Sequence, residues 1–522
     1  MNEQQEKLTM NVLFSGIGCQ ERGITNTNLF NVSVLNTAEI NKEAMLAYAA
    51  VHCGLTQEVV ENYKDYPTRE EMAKQLTEKN IGYEPEKNKS YSWEKLIKRK
   101  NKDLEKYWLA SKLSTNFGDI TKINKLPYAD MWTSSFPCTD ISGAGKMRGF
   151  TEESGTRSSL LWETIRLLNE AKETQTMPKY ILFENVKNLV SKKYINDFNK
   201  LIDVIDALGF NVYWDVINAK NCGVPQNRER VFIVCIRKDI DKGTFVFPKA
   251  FDVGIRLKDI LEPVVQEKYY LNEQITQRFV RQTEGENIIG RVPNGKGTNF
   301  SNDMVYHTEK NVGTLKATDY KSPKMIMVSS KNEKVAPINT MPDGTARTIK
   351  AQYAKTSQAN IQKTGTYGAI GVIDNCIIRK LTPVECWKLM GMSVEDCAHA
   401  HAVGVADTQL YKQAGNGIVT NCVALIAEHI YKAQYDSTYQ CTDEKITGLS
   451  ENVIGNSNAP KVLIRNAAQD CENNLIQVVG NYSPSNHNSA RIANSTGIAP
   501  TVMEHHGTVT AIIENQTQVS NR

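Results

Sequence analysis

Cys138 follows Pro137 in a loop rich in serine and glycine that runs on to Lys146, Arg148 and Gly149. A thiol attacks only as its thiolate, and nearby cations and backbone N–H groups favour that form. Glu184, followed by Asn185 and Val186, ends the apolar run Tyr180-Ile181-Leu182-Phe183. Arg228 and Arg230 belong to Gln226-Asn227-Arg228-Glu229-Arg230, just before the apolar run Val231-Phe232-Ile233-Val234. Cysteine, glutamate and arginine on adjacent strand ends can converge on one small planar substrate. A lone cysteine is more often a small buried hydrophobe; the order and the company of Cys138 mark it out.

A second set suits binding rather than reaction. Phe14-Ser15-Gly16-Ile17-Gly18 closes the apolar run of residues 11–14 with a glycine turn. Glu39 ends a second short run, 32–35 with Ala38, where a carboxylate can accept both hydroxyls of a ribose. Gly118-Asp119-Ile120 ends a third segment, where an aspartate can accept from an adenine amino group. That order fits an adenosine-containing cofactor. The pyrophosphate fingerprint G-x-G-x-x-G is absent, since the next glycine comes at Gly23. A cofactor without phosphates needs no such fingerprint, and S-adenosylmethionine is one. Taken singly, each piece reads equally as a structural turn.

The elements that must position these groups follow from the hydrophobic pattern. The chain opens strand–helix–strand–helix, the last being a helix at 42–50, which points to an α/β sheet with helices on its faces. The pattern resumes with strands at 131–134, 180–183 and 231–234 and helices at 158–171 and 197–208. Reactive residues recur at the carboxyl ends of strands, the edge where open α/β sheets bind ligands. Residues 54–116 differ in style, being rich in Glu, Lys and Asn. There Trp93, Leu96, Ile97, Leu104, Tyr107 and Trp108 recur near helical spacing and predict one amphipathic helix. Its cations, from Lys95 to Lys106, are either a solvated face or a contact to a nucleic-acid backbone.

The texture changes again at 246–375, where Gly, Asn, Lys and Thr increase and strands look short, as in a smaller β-rich domain. It carries a weak repeat, an aliphatic residue after Thr and then a strand: 314–317 leads to 324–328, 348–351 to 369–373, and a third copy in the tail runs from 500–502 to 509–513. Residues 376–434 return to helical character. Thr382-Pro383-Val384-Glu385 predicts a capped helix start, and a later helix at 419–433 is entered through Gly415-Asn416-Gly417. A polar, Asn-rich extension fills 435–522.

Composition bounds the class. The 522 residues call for several domains, and 40% hydrophobic with 23% charged residues is ordinary for a globular chain. No run of 18 apolar residues predicts a membrane span, and the polar start predicts no signal peptide, so a cytoplasmic protein of a bacterial host cell is expected. A net charge of +4 permits a nucleic-acid partner without arguing for it. The 11 cysteines form no C-x-x-C pair, and the 8 histidines form no ligand pattern apart from His505-His506, so no metal is expected.

The ordered set resembles the DNA (cytosine-5)-methyltransferase family of the bacterial or phage restriction-modification type. The resemblance covers about residues 10–50, 116–240 and 376–434. It rests on F-S-G-I-G at 14–18, A-E-I at 38–40, G-D-I-T at 118–121, F-P-C at 136–138 with G-K-M-R-G-F at 145–150, and R-S-S-L-L at 157–161. F-E-N-V at 183–186, Q-N-R-E-R at 226–230, R-K-L-T-P-V-E-C at 379–386 and Q-A-G-N-G at 413–417 complete it. Val12 stands where the family has an acid, and Thr139 where it has Gln after the cysteine.

The resemblance implies a Rossmann-like, S-adenosylmethionine-dependent methyltransferase sheet with a smaller β-rich target recognition domain at 246–375. It implies Cys138 as nucleophile, Glu184 and Arg230 on the base, and Arg228 in support. Phe14, Gly16, Ile17, Gly18, Glu39, Ile40, Asp119, Ile120, Pro137, Leu160 and Asn416 then surround S-adenosyl-L-methionine. Double-stranded DNA is the implied substrate, a cognate restriction endonuclease encoded nearby a possible partner, and a monomer the default. A tRNA cytosine-5 methyltransferase and a DNA-binding homologue without turnover stand as the alternatives.

Overall fold

The computed structural model describes residues 5–436 apart from 85–86, 139, 142–148, 150, 152–156, 250–251, 273–279, 282–286, 293–302, 331–335, 339–370 and 374–375, together with Tyr439, 478–481, 491–494 and 512–513. The chain divides into a large unit, Met1–Glu444 with Glu451–Pro460, and a small one, Lys445–Ser450 with Lys461–Arg522. Within the small unit, Val478–Asn481 pairs antiparallel with Arg491–Asn494, which pairs parallel with Ile512–Ile513.

The large unit is built on a six-stranded sheet. Its strands are β1 (Glu6–Leu13), β2 (Phe30–Ala38), β3 (Met131–Ser134), β4 (Tyr180–Val186), β5 (Phe210–Asn218) and, after a short β6 (Gln226–Asn227) that pairs elsewhere, β7 (Glu229–Arg237). Their order is β2-β1-β3-β4-β7-β5. β7 is antiparallel to both neighbours, while β2-β1, β1-β3 and β3-β4 are parallel. All four residues of β3 are buried and nearly all of β4, which is why both read as unbroken apolar runs: a parallel strand covered on two faces has no solvent side.

One of those covers is formed by α7 (Leu161–Glu173) and α8 (Ile195–Ala207), following α1 (Cys19–Thr25), α2 (Lys42–His52) and four helices of the 54–116 segment. Phe198, Leu201 and Ile205 recur along one stripe of α8, and with Ile165 and Leu168 of α7 they pack on Leu13, Trp132, Ile181, Phe183, Val231 and Ile233 of the sheet. Burying six such side chains at roughly 1.5–3 kcal/mol each is the main force that fixes the strand ends.

The 54–116 segment folds as α3 (Gln57–Asn62), α4 (Arg69–Glu78), α5 (Glu94–Ile97) and α6 (Asp103–Leu113). The single helix expected across Trp93 to Trp108 is therefore broken. Residues 98–102 are all exposed, so no apolar side chain pins a turn there. Arg69 ends α5 by donating to the carbonyls of Leu96 and Ile97 at 2.6 and 3.0 Å. Trp93, Leu96, Leu104, Tyr107 and Trp108 face inward, and Lys95, Lys98, Arg99, Lys100 and Lys102 lie outside.

A second, five-stranded sheet has the order Cys376–Lys380, Met325–Ser330, Met304–Tyr306, Ile288–Arg291, Val280–Arg281. Its small core holds Val292, Val305, Met325 and Ile378. The strand at Cys376–Lys380 thus belongs to this sheet, although it opens the segment that returns to the helices. Of the sequence repeat, the strand of the first copy is Met325–Ser330. Residues 348–351 and 500–502 lie outside the described residues.

Thr382 caps the helix Pro383–Lys388 as expected: its hydroxyl accepts from Glu385 N at 3.1 Å, and the Glu385 carboxylate accepts from Thr382 N at 2.9 Å. Gly415 and Asn416 are not the lead-in loop expected of them. They form the last turn of a further helix, Asp407–Asn416, and the final helix runs Thr420–Tyr435.

Candidate active site

Strand register brings the site together. Leu13 of β1 pairs with both Ala38 of β2 and Ser134 of β3, and Ser134 pairs with Phe183 of β4. Phe14, Glu39, Ser135 and Glu184 are each the next residue after that row, so four carboxyl ends meet along one edge. β7 enters the same edge from the opposite direction, with Arg230 paired to Val186.

Cys138 lies on the loop after β3. Asn185 Nδ2 donates to Phe136 O at 2.9 Å, and the buried Ser158 hydroxyl donates to Pro137 O at 2.8 Å and accepts from Asp140 N at 3.2 Å. Asn188 Nδ2 donates to Ile141 O. Bonds on both sides of Cys138 thus hold the loop, while the side chain itself stays half-buried. Burial and the neighbouring Glu184 push its thiol above the usual range, and Arg230 and Arg228 pull it back. The resting group is the thiol.

Glu184 is nearly buried, and Arg230 Nε stands 3.1 Å from its Oε1. Burial raises its pKa and both arginines oppose the rise. Burial outweighs them, so this carboxyl group holds its proton more tightly than an exposed one would.

Arg228, grouped by sequence with the reacting residues, is held differently. Its guanidinium is 2% exposed and donates to the carbonyls of Leu315 at 3.0 Å, Gly415 at 3.2 Å and Gly417 at 2.6 Å. Gln226, fully buried, donates to Leu389 O at 2.8 Å and accepts from Leu315 N at 3.1 Å. β6 itself pairs with Val312–Gly313. This pair of side chains therefore ties the strand entrance to three other segments, and the charge of Arg228 acts on Cys138 and Glu184 through space. Burial first, then Arg230, pulls Arg228 down to about 9, so it stays charged at neutral pH.

At the other end of the edge, Phe14 and Gly16 both turn through left-handed backbone, with φ of 55° each. Gly16 N donates to Glu39 Oε2 at 2.9 Å, and Asn41 N donates to Oε1 at 2.7 Å. Burial raises the Glu39 pKa and these amide bonds lower it. Gly18, at φ 81°, has no room for a side chain, since a Cβ would stand 2.2 Å from His52 Nε2. His52 also bonds Ile17 O at 3.0 Å, and behind it Tyr48 donates to Glu21.

The remaining cofactor candidates divide by exposure. Ile40, Asp119, Pro137 and Leu160 are half-buried, Ile17 and Ile120 are buried, and Asn416 is exposed beside the two carbonyls that Arg228 engages. A group with hydroxyls and an amino donor fits this set. Among the described residues nothing lies within 4 Å of a Cβ placed on Gly16, and Glu39 and Asp119 are both half-buried.

Four further residues shape the site without having been singled out. Asn116, fully buried, accepts from Glu39 N and Gly118 N, both at 3.0 Å, and donates to Glu39 O at 2.8 Å, joining two binding loops. Ser158 and Asn185 sit inside quoted motifs, so their signal was present. Gln226 was likewise quoted. Only Asn116 had none beyond being polar just before Phe117 and Gly118.

The family profile of C-5 cytosine-specific DNA methylases matches residues 86–432. The chain is 34% identical over 427 residues to the type II methyltransferase M2.ScrFI of Lactococcus lactis subsp. cremoris, covering 81% of this chain and 98% of that protein. It is 28% identical over 386 residues to the orphan methyltransferase M.SPRI of Bacillus phage SPR, covering 61% and 85%. A solved methyltransferase of Entamoeba histolytica superposes with a TM-score of 0.47 at 13% identity, covering 82% of this chain and 99% of that one.

Proposed function

Because the chain belongs to the C-5 cytosine-specific DNA methylase family, we propose that its strand-edge site methylates C5 of a cytosine in duplex DNA through a covalent bond from Cys138 to C6. The observation that carries this reading is the meeting of Cys138, Glu184 and Arg230 on one edge, with a buried carboxyl group beside a guanidinium.

Cytosine C5 is a poor nucleophile. Adding the Cys138 sulfur at C6, with its thiol proton passing to solvent, turns the ring into an enamine whose C5 is electron-rich. Glu184, kept protonated by burial, places its proton at N3 and bonds the exocyclic amine, which favours that addition. Arg230 donates to O2 as charge grows there. Arg228 holds the entrance of β7 and lends its charge to the thiolate. S-adenosylmethionine, when bound, supplies the electrophilic methyl group. Glu39 accepts from its ribose hydroxyls and Asp119 from its adenine amine; Phe14, Gly16, Ile17, Gly18, Ile40, Ile120, Pro137, Leu160 and Asn416 line the rest. Loss of the C5 proton and of Cys138 restores the ring. The target carbons lie inside the base stack, so the cytosine must be extruded first.

The sheet containing Met304–Tyr306 and Met325–Ser330 lies in the segment that takes the target-recognition role, reading base edges in the major groove. Protection of DNA beside a restriction endonuclease is the biological role this family membership favours.

The test is incubation with duplex DNA or tRNA and S-adenosylmethionine, digestion to nucleosides and mass spectrometry, with Cys138→Ala in parallel. 5-Methylcytosine from duplex DNA with the native protein alone supports the reading, and bisulfite sequencing of that DNA gives the site. Folded, cofactor-binding protein that makes no product on genomic DNA overturns it.

A further inference from the structure

The cofactor end of the edge is closed by residues that belong to none of the motifs. α4 ends in the turn Lys79-Asn80-Ile81-Gly82, and this turn bonds to both loops that flank Glu39 and Asp119. Asp119 N donates to Lys79 O at 3.0 Å, and Gly82 N donates to Ile40 O at 2.6 Å. Asn80 Nδ2 donates to Asp119 Oδ2 at 2.7 Å. The approach is tight enough to demand glycine at Gly118, where φ is +79° and a Cβ would stand 2.0 Å from Lys79 O. The turn is itself braced. Trp93 Nε1, buried, donates to Ile81 O at 2.8 Å, and Tyr91 N donates to Gly82 O at 3.1 Å. Asn80 sits in left-handed backbone at φ 55°, which aims its amide back toward Asp119.

Asp119 is then nearly saturated. Its Oδ1 accepts from Thr121 N at 3.0 Å and from the Thr121 hydroxyl at 2.9 Å, and Asn80 takes one site on Oδ2. A carboxylate offers about four acceptor sites, so among the described residues about one is left unfilled, on the oxygen that Asn80 holds.

We propose that Asn80 is a positioning residue for cofactor adenine: it fixes the Asp119 carboxylate so that its remaining acceptor site meets the adenine amino group, which makes the 54–116 segment one wall of the cofactor site. This rests on the reading that Glu39 and Asp119 take the adenosine of S-adenosylmethionine. The segment is then more than a surface insertion, because its fold sets how firmly the cofactor is held.

Calorimetric titration of the full chain with S-adenosylhomocysteine tests it. The variant is Asn80→Gly, which tolerates the left-handed backbone and removes the side chain with its amide donor; Asn80→Asp, which sets a second carboxylate against Asp119, is the companion, and Lys74→Ala on the outer face of α4 is the control. Loss of one hydrogen bond to a charged acceptor predicts roughly 10-fold weaker binding for Asn80→Gly and a larger loss for Asn80→Asp. The loss should appear in KM for S-adenosylmethionine rather than in kcat. It should vanish when hypoxanthine replaces adenine in the titrant, and when Asp119 is already Ala. Folded Asn80→Gly protein with native affinity, or an equal loss with the hypoxanthine analogue, overturns the proposal while leaving the cofactor site standing. Native protein that fails to bind S-adenosylhomocysteine overturns the cofactor reading and this proposal with it.

Discussion

Glu39 and Glu184 end neighbouring regions of one sheet edge, and burial pushes both carboxyl groups up. Their partners differ. Glu39 is held by two backbone amides, at 2.9 and 2.7 Å, which are neutral and fixed by the turns that carry them. Glu184 is held by the side chain of Arg230 at 3.1 Å, with Arg228 and Cys138 nearby. Amides can orient an acceptor without changing charge, which suits the β1–β2 end to the proposed binding of the cofactor. An arginine and a thiol make the protonation state of Glu184 depend on what its neighbours do, which suits the β3–β4–β7 end to the proposed reaction.

Four changes separate these two ends. Cys138→Ala should have the largest effect, lowering methyl transfer by at least about 10⁴-fold while S-adenosylhomocysteine still binds; weakened cofactor binding in that variant would erase the division. Glu184→Gln should lower kcat by roughly 10²–10⁴-fold with cofactor affinity near native. In the native enzyme, kcat should fall at alkaline pH as Glu184 loses the proton that burial retains, and a kcat–pH profile of Glu184→Gln should lack that limb. Glu39→Gln should do the reverse: about 10–50-fold weaker S-adenosylhomocysteine by calorimetry, with kcat at saturation little changed.

The smallest effect lies behind the β1–β2 end. Burial pushes Glu21 from 4.5 up to about 7, and it pushes His52 from 6.5 down to about 3. Between pH 4.5 and about 7 the unfolded chain releases the Glu21 proton while the folded chain keeps it, so this group makes stability fall as pH rises. His52 acts in the opposite sense, its contribution being lost as pH falls from 6.5 toward about 3. Thermal unfolding of Glu21→Gln against native protein should therefore show the variant gaining relative stability from pH 4.5 to 7, and a constant difference would refute the buried, protonated state.

Local pattern carried most of the sheet. The strand expected at residues 131–134 is the strand observed, and those at 180–183 and 231–234 fall within β4 and β7, because strands covered on both faces leave continuous apolar runs. The capping box at Thr382 was legible for a similar reason, since donor and acceptor lie three residues apart. The helix expected across Trp93 and Trp108 failed because its break depends on Arg69, some thirty residues away in the chain, which supplies the donors that end α5. Gly415 was read as loop because glycine usually interrupts helices; here its bare Cα lets the helix pass against the backbone of Lys316 and Ala317, where a Cβ would stand 2.2 Å from the nearest atom.

By itself the sequence determined which candidate groups exist and in what order they meet the sheet: Cys138, Glu184 and Arg230 next to apolar runs, and Glu39 and Asp119 after theirs. Adjacency in the chain was enough, because a strand delivers the residue that follows it to a known edge. The tertiary structure alone decided how those groups are held. Arg228 and Arg230 are two residues apart in one motif, yet one is locked on the carbonyls of Leu315, Gly415 and Gly417 and the other faces Glu184. Asn80, outside every motif, reaches Asp119 across 39 residues of chain. Those roles are set by hydrogen bonds between distant segments, and the partners become neighbours only when the apolar faces of the helices and the sheet are buried together.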